Sequence, residues 1–270
     1  MNNLVFGKYI PVDSLMHKLD PRAKLIGLFL MIAAIFVPTN PIVFLVIGIL
    51  LAIALIFAKI GIKMIVQSFK PMIMMMLFLL VINSLTVKTG TLLFSIGPVG
   101  IYYDAIYNTV FVIVRLLLMI SVTTLLTATT KPLDLTLGIE WILKPLEILH
   151  FPTHEVAMMV SIALRFIPTI IEETMRIMNA QKSRGVDFEN GKLSQKIAAI
   201  LSLIVPLFSV AFERAYELAD AMEARGYVPG AKRSRYHVLK FRFIDYLFIF
   251  LSVLTLAFSI ASRFYLWDIK

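Results

Sequence analysis

The feature that most constrains this fold is a series of long apolar runs separated by short charged or proline-containing segments. Hydrophobic residues make up 59% of the 270 residues, and the mean hydropathy is +0.87. This composition is too apolar for a soluble domain and indicates an integral membrane protein. The predicted fold class is an all-α membrane protein with about five transmembrane helices and additional long helices outside the bilayer.

Five apolar runs are predicted to be the transmembrane helices. Each has, or with flanking residues approaches, the ~20 residues needed to cross a hydrocarbon core of ~30 Å. They cover about residues 25–37, 42–58, 71–85, 105–128 and 243–262. Asp20 is a suitable cap for the first helix, and Pro21 is a suitable first residue. The first four runs form a predicted N-terminal membrane part, residues 1–128, and residues 243–270 hold the last span and an outer tail.

Residues 129–242 form a predicted cytoplasmic region between the fourth and fifth spans. Helices are expected there over about 133–149, 153–184 and 192–225. The two long helices contain apolar stretches, so they are also candidates for a sixth and a seventh span. However, Arg165 and Pro168 interrupt the first stretch, and the charged hairpin at residues 172–196 would then have to lie outside. Long helices at the cytoplasmic face, with apolar sides against the spans or the interface, are the preferred interpretation.

The distribution of lysine and arginine predicts the orientation in the cell membrane. Fifteen of the 26 basic residues lie in residues 129–242 and four in residues 1–24, whereas residues 86–103 contain one. The net charge of +9 is attributed to cytoplasmic loops and to attraction by anionic headgroups rather than to binding of nucleic acid. The N-terminus is therefore predicted to lie in the cytoplasm and the C-terminus outside.

The two long helices are predicted to end in the same pattern, Ala-x-x-x-Arg-Gly, with the arginines 41 residues apart. The two ends are Ser183-Arg184-Gly185 and Ala224-Arg225-Gly226. Glycine after a helix and arginine in its last turn are also ordinary capping signals, so simple capping is one interpretation. The repetition in matching context supports the other interpretation, in which each helix presents an arginine.

Two further groups are candidate sites in or beside the spans. Arg115 lies near the middle of the fourth span, where it has either a function or a structural role, bridging to backbone carbonyls or to a side chain such as Asn83. Four methionines fill one end of the third span, namely Met72, Met74, Met75 and Met76. Their flexible, polarizable side chains suit a surface that accepts several partners, although packing against lipid or core is the simpler alternative.

The sequence lacks the signals of common catalytic and nucleotide-binding sites. It has no cysteine and no Walker A, HExxH, GxSxG or GxGxxG pattern. The four histidines fall outside the spans and predict no metal site. Ionisable residues within the spans are too few to indicate an ion-driven transporter. The chain is therefore expected to be a non-catalytic subunit without a cofactor, and any transport would take its energy from a partner.

Taken together, these residues resemble the transmembrane T component of energy-coupling factor (ECF) transporters, which are ATP-driven importers of vitamins and other micronutrients. The resemblance covers nearly the whole chain, and its specific part is the pair of Xaa-Arg-Xaa signatures around Arg184 and Arg225. The other matching segments are 14–24, 163–168, 172–173, 180–185 and 221–227.

The resemblance implies a complex of this chain with two ABC-type ATPases and a small membrane S component that binds the substrate. The two arginine-tipped coupling helices would dock into grooves on the ATPases, which would bind ATP and Mg. The methionine span and the flanks of the coupling helices are candidates for contact with the S component. The alternatives are the permease of a conventional ABC importer, a secondary transporter and an intramembrane enzyme. A conventional permease would have one coupling helix per chain.

Overall fold

The computed structural model describes residues 9–37, 40–87, 89–96, 99–149, 151–188, 190, 192–230 and 239–265. Within these ranges the chain forms α-helices, short 3-10 segments and one small sheet, so the predicted all-α membrane class is confirmed with a minor β addition. The chain divides into two compact units. The bundle unit comprises Met1–Trp141 and Leu239–Lys270, and the hairpin unit comprises Ile142–Val238.

Helix starts in the bundle unit follow the capping signals of the sequence. The Asp20 side chain accepts a hydrogen bond from the Arg22 N–H at 2.9 Å, and Asn40 accepts one from the Ile42 N–H at 3.0 Å. The α-helices are α1 (Pro21–Phe36), α2 (Pro41–Phe57), α3 (Ile62–Phe69), α4 (Ile73–Thr86), α5 (Tyr103–Thr129), α6 (Pro132–Leu143), α7 (Thr153–Ser183), α8 (Leu193–Ala224) and α9 (Phe243–Tyr265). Proline follows the cap directly in both α1 and α2, where its missing N–H has no partner to lose.

The core of the bundle unit lies between α1, α2 and α5. Ile35 of α1, Ile47 of α2 and Ala128 of α5 are completely buried in it. α1 also packs along α9, where Gly27 faces the ring of Phe248 so closely that an added Cβ would overlap the ring. The first and last predicted spans are therefore held together by a close approach that requires glycine.

The third apolar helix begins earlier than the sequence indicates. A span from about residue 71 is predicted, but α3 already begins at Ile62 and passes through a 3-10 turn at Lys70–Met72 into α4. The continuous apolar helix covers Ile62–Thr86. Pro71 lies in the 3-10 turn, where its missing N–H weakens the α-helical pattern. Lys63 and Lys70 therefore lie within helical segments.

A small antiparallel sheet occupies the segment that was expected to be a loop between the third and fourth spans. β1 (Leu92–Ile96) pairs with β2 (Val99–Tyr102), with Leu92 opposite Tyr102 and an irregularity before Phe94. The branched and aromatic residues of both strands favour this pleated structure. Two such short strands give a weak sequence signal, and their pairing becomes visible only in the structure.

The hairpin unit consists mainly of α7 and α8, which contain 31 and 32 residues. A 3-10 segment at Lys144–Leu149 precedes them. The helix bounds differ by one residue from the expected 153–184 and 192–225 at the arginine ends and at the start of α8. Each long helix contains one proline, Pro168 in α7 and Pro206 in α8.

Five helices of the described ranges are long and apolar enough to cross a membrane, which matches the predicted number. They are Ile62–Thr86, Tyr103–Thr129, Thr153–Ser183, Leu193–Ala224 and Phe243–Phe264. The set differs from the prediction because α7 and α8 qualify, whereas α1 with 16 residues and α2 with 17 residues fall short of ~20. The location of α7 and α8 at the cytoplasmic face stays a prediction.

Candidate docking ends of the long helices

The end of α7 is closed by a pair of backbone hydrogen bonds around Arg184. Gly185 N–H donates to the Lys182 carbonyl at 3.0 Å, and Val186 N–H donates to the Gln181 carbonyl at 3.0 Å. This pair defines a Schellman cap, which requires a left-handed residue after the helix. Gly185 has a φ of +88° and adopts that conformation without steric cost. Arg184 is thus the C-cap residue, directly before this glycine.

The end of α8 repeats this geometry around Arg225. Gly226 N–H donates to the Glu223 carbonyl at 2.8 Å, Tyr227 N–H donates to the Met222 carbonyl at 2.9 Å, and the φ of Gly226 is +72°. The two interpretations of the repeated pattern are therefore compatible, because the same cap that ends each helix also presents its arginine.

Both ends are open to a partner. All six residues of the two signatures are exposed, and a Cβ added to Gly185 or Gly226 would meet no atom within 4 Å. The described part of the chain provides neither Arg184 nor Arg225 with an ion-pair partner. A guanidinium carries five N–H donors in a planar arrangement that matches a carboxylate.

The two arginines lie at opposite ends of α8. From Gln181 back to Glu173 in α7, the contact partners in α8 advance from Ser202 to Arg214, so the two helices are antiparallel. The end of α7 therefore leads directly into the start of α8, whereas Arg225 lies at the far end. Gln181 lies against Ser202, and the 23 residues from Ser202 to Arg225 extend over about 35 Å, which sets the scale of the separation between the two arginines.

A small polar network holds α7 against α8. Glu173, whose side chain is 14% exposed, lies 3.7 Å from Arg214 and 3.5 Å from Arg176, and Arg214 also lies 3.6 Å from Glu217. Gln181 adds a hydrogen bond to α8. No role in helix pairing was predicted for these residues. The sequence feature that could have indicated it is the placement of charged side chains directly after the apolar stretch of each helix.

The four methionines do not share one face. Met74 is 82% exposed and Met75 is 43% exposed, whereas Met72 and Met76 are partly buried. Met72 lines a depression of about 490 Å³ between the start of the third apolar helix and α5, together with Met119. No residue of α4 is buried within the described part of the chain, so this helix offers a broad apolar surface to lipid or to a partner.

Arg115 lies at the level of the connection between α1 and α2. Its guanidinium carbon is 5.9 Å from the ring centre of Phe36 and 5.7 Å from that of Phe44, in cation–π geometry. Asn83, which was suggested as a partner, donates instead to the Thr109 hydroxyl at 3.1 Å. Two aromatic rings thus lie beside the Arg115 guanidinium.

The basic and acidic residues of segment 14–24 have structural contacts. Lys24 Nζ donates to the Thr129 carbonyl at 2.8 Å, which joins the start of α1 to the end of α5. The Arg22 guanidinium lies over the rings of Trp141 and Phe241, at 5.8 Å from each.

A buried carboxylate joins the first and last helices. Asp245 is 1% exposed and accepts the Asp20 N–H at 2.7 Å and the Arg242 N–H at 2.6 Å. Asp245 lies in the first turn of α9, where an acidic side chain is well placed to cap the helix start.

The described residues contain no group of three or more His, Asp or Glu side chains arranged to hold a metal. His150 lies outside the described residues. His17 makes hydrogen bonds with both ring nitrogens, to the Ser14 hydroxyl at 2.7 Å and to the Ile10 carbonyl at 2.8 Å. It therefore serves the packing of the N-terminal segment.

The fold and these two ends define a class, a multi-pass helical membrane protein that presents two capped arginines. Residues 13–238 match the model of the CbiQ family, described as cobalt transport protein. The chain belongs to this family, within the group of transmembrane T components of energy-coupling factor transporters.

Similar proteins include three that are named energy-coupling factor transporter transmembrane protein EcfT. The protein of Bacillus subtilis (strain 168) is 42% identical over 239 residues, which cover 88% of this chain and 90% of the relative. The protein of Listeria innocua is 41% identical over 245 residues, which cover 91% of this chain and 92% of the relative. The protein of Streptococcus thermophilus is 41% identical over 239 residues, which cover 88% of this chain and 90% of the relative.

Proposed function

We propose that this chain is the transmembrane coupling subunit of an ATP-driven ECF-type importer of a vitamin or another micronutrient. Its partners would be two ABC-type ATPases and a small membrane S component that binds the substrate. The observation that carries the proposal is the pair of identical caps, each with an exposed arginine. Two similar ends in one chain suit two similar partners, whereas a conventional ABC permease would present one.

The docking contact follows from the chemistry of the two signatures. A guanidinium held at a helix end can form a bidentate pair with a carboxylate in a groove. Ser183 and Gly185, like Ala224 and Gly226, are small enough to let the backbone approach such a groove closely. Loss of one member of a buried charged pair costs about 2–5 kcal/mol. ATP and Mg would bind to the ATPases, and hydrolysis would take place there.

The antiparallel arrangement of α7 and α8 supports their location along the cytoplasmic face. If both helices crossed the bilayer, Arg184 and Arg225 would emerge on opposite sides of the membrane, since they end antiparallel helices. Two ATPases that use cytoplasmic ATP require both arginines on one side. The N-terminus would then lie in the cytoplasm and the C-terminus, after α9, outside.

ATP-driven closure of the two ATPases would move the two arginine ends relative to each other. The long helices would transmit this motion to the surface that holds the S component. Met72, Met74, Met75 and Met76 are our candidates for part of that surface, because α4 is exposed along its length. Arg115 would have a structural role through its contacts with Phe36 and Phe44.

The first experiment is a pull-down of this chain from membranes that contain its transporter partners. The wild type is compared with Arg184→Glu/Arg225→Glu and with the control Arg263→Glu, which reverses an exposed arginine in the last turn of α9. We expect wild type and control to retain two ATPases and a small membrane protein, and the double variant to lose the ATPases. Equal ATPase recovery in all three would contradict docking by the arginine ends.

A second experiment tests the location of α7 and α8. The chain contains no native cysteine, so cysteines introduced at Asn179 and Asp220, both exposed and near the two ends, are unique labels. We expect a membrane-impermeant maleimide to label both from the cytoplasmic side. Labelling of the two positions from opposite sides would mean that the helices cross the bilayer.

The S-component surface is tested by a photo-reactive side chain at Met74, with Phe250 of α9, 62% exposed, as the matched control position. We expect crosslinking to the S component from position 74 in excess of that from position 250. Equal crosslinking from the two positions would remove the methionines from the proposed surface.

A further inference from the structure

We infer that Gln181 is a positioning residue that ties the Arg184 end to α8 one turn before Pro206. The inference rests on the proposed function only in what the two ends dock to. Its starting point is a missing donor in α8. Pro206 has no N–H, so the Ser202 carbonyl, four residues earlier, lacks the hydrogen bond that an α-helix normally supplies.

Gln181 of α7 provides a replacement donor. Its side-chain Nε2 lies 3.2 Å from the Ser202 carbonyl oxygen. The Ser202 hydroxyl does not compete for this position, because it donates to the Ala199 carbonyl at 2.8 Å. Ala199 is the buried residue of α8, at 4% exposure, so the hydrogen bond forms beside the most closely packed turn of that helix. Ser202 is partly buried, and this replacement hydrogen bond satisfies a carbonyl that lacks its usual helical donor.

The same residue also forms the cap that holds Arg184. The Gln181 backbone carbonyl accepts the Val186 N–H at 3.0 Å and the Arg184 N–H at 3.1 Å. Its main chain therefore belongs to the cap, and its side chain belongs to the contact with α8. A shift of α8 at Ser202 is transmitted to Arg184 through one residue.

The proline divides α8 between the two arginines. The Gln181 hydrogen bond attaches the Arg184 end to α8 before Pro206, whereas Arg225 is carried by the part of α8 after it. Pro206 thus lies between the two parts of α8 to which the docking ends are attached. The side chain of Met222, 41 residues after Gln181, has no N–H or O–H and cannot make the equivalent hydrogen bond. Among the described residues, this side-chain hydrogen bond between the long helices is made at the Arg184 end.

The test combines removal of the donor with restoration of the missing backbone N–H. Gln181→Met removes the side-chain donor and copies the residue of the other end. Pro206→Ala returns an N–H that can satisfy the Ser202 carbonyl within α8. Gln67→Met, at an exposed position of α3, is the matched control for the substitution itself. Spin labels on Asn179→Cys and Asp220→Cys report the separation of the two ends in the purified chain.

We expect Gln181→Met to shift or broaden the measured distance distribution and to weaken ATPase binding about 3- to 10-fold, as for a lost hydrogen bond. In the Pro206→Ala background, the same substitution should have little further effect, because the carbonyl no longer needs the side chain. Gln67→Met should leave both measurements unchanged.

Two results would overturn the inference. One is an unchanged distance distribution in Gln181→Met, and the other is an equal effect of Gln181→Met with and without Pro206→Ala. Because the distances are measured on the free chain, this outcome is independent of ATPase docking. Failure of the wild type to retain ATPases would instead contradict the proposed function.

Discussion

The two arginine ends share a cap but differ in how they are anchored. Both have the Schellman hydrogen bonds and a left-handed glycine. At the α7 end, the Gln181 side chain also binds α8, whereas Met222 of α8 has no donor for such a bond. Presentation of an arginine thus depends on the local cap, and its position relative to the other helix depends on a side chain outside the signature.

A third cap shows what the two glycines contribute. α2 ends in the same pair of hydrogen bonds, from Lys59 N–H to the Ile56 carbonyl at 2.9 Å and from Ile60 N–H to the Leu55 carbonyl at 3.3 Å. Lys59 adopts the left-handed conformation there, with a φ of +55°. This geometry is therefore accessible to another residue at a conformational cost.

The largest expected effect is the loss of ATPase binding when either arginine alone is replaced. Arg184→Glu and Arg225→Glu, tested singly, should each weaken ATPase binding by at least about 30-fold, since loss of a buried charged pair costs about 2–5 kcal/mol. Titration of detergent-solubilised chain with the ATPases measures each affinity. A large loss from one variant and none from the other would show that only one end docks.

The next effect concerns the caps. Gly185→Ala and Gly226→Ala should each lower the free energy of unfolding by about 1 kcal/mol, because alanine is disfavoured in the left-handed region. Free space around both glycines removes any steric contribution. Gly61→Ala is the control, since Gly61 also faces open space but has a φ of −65°. Thermal unfolding in detergent should show a larger loss for the first two than for Gly61→Ala, whose cost is limited to a weaker N-cap of α3.

At the third cap, at the end of α2, substitution by glycine is predicted to stabilise the protein. Lys59→Gly should raise the free energy of unfolding by about 0.5 kcal/mol, because relief of the left-handed strain outweighs the greater chain entropy of glycine. The measurement is the unfolding midpoint in the same detergent. A lower midpoint would mean that the Lys59 side chain makes a stabilising contact that exceeds the backbone strain.

The smallest effect concerns the ion pair that joins the helices carrying the two ends. Glu173→Gln should cost about 0.3 kcal/mol at low salt, since Arg214 is 44% exposed and the pair is screened by water. The difference from wild type should diminish as salt is added. A salt-independent cost would assign Glu173 a packing role rather than an electrostatic one.

Local features of the fold were largely predictable from the sequence. The Asp20-Pro21 start of α1, the ends of α7 and α8 and the apolar helices all depend on residues within a few positions of each other. The start of the third helix at Ile62 was not predicted, because Lys63 and Lys70 interrupt the apolar pattern. The β1–β2 sheet was missed because its stability depends on register between two short strands.

The candidate site was predictable in composition but not in arrangement. The signatures around Arg184 and Arg225 were visible as a repeat 41 residues apart. Gln181 lies within the matching segment 180–185, but its hydrogen bond to Ser202 could be recognised only once α8 was seen to lie beside α7. Asn83 was one suggested partner for Arg115, and its side-chain hydrogen bond to Thr109 is visible only in the structure.

The sequence by itself determined the membrane class, the helix caps and the two arginines, because hydropathy and capping act over short stretches of chain. Only the tertiary structure decided that α7 and α8 are antiparallel, that the arginines lie at opposite ends of α8, and that Asp245 joins α9 to the start of α1. These contacts connect residues far apart in the chain. These contacts form because the helices pack together and leave polar groups that need a hydrogen-bond partner, and a local sequence pattern does not show which groups these are.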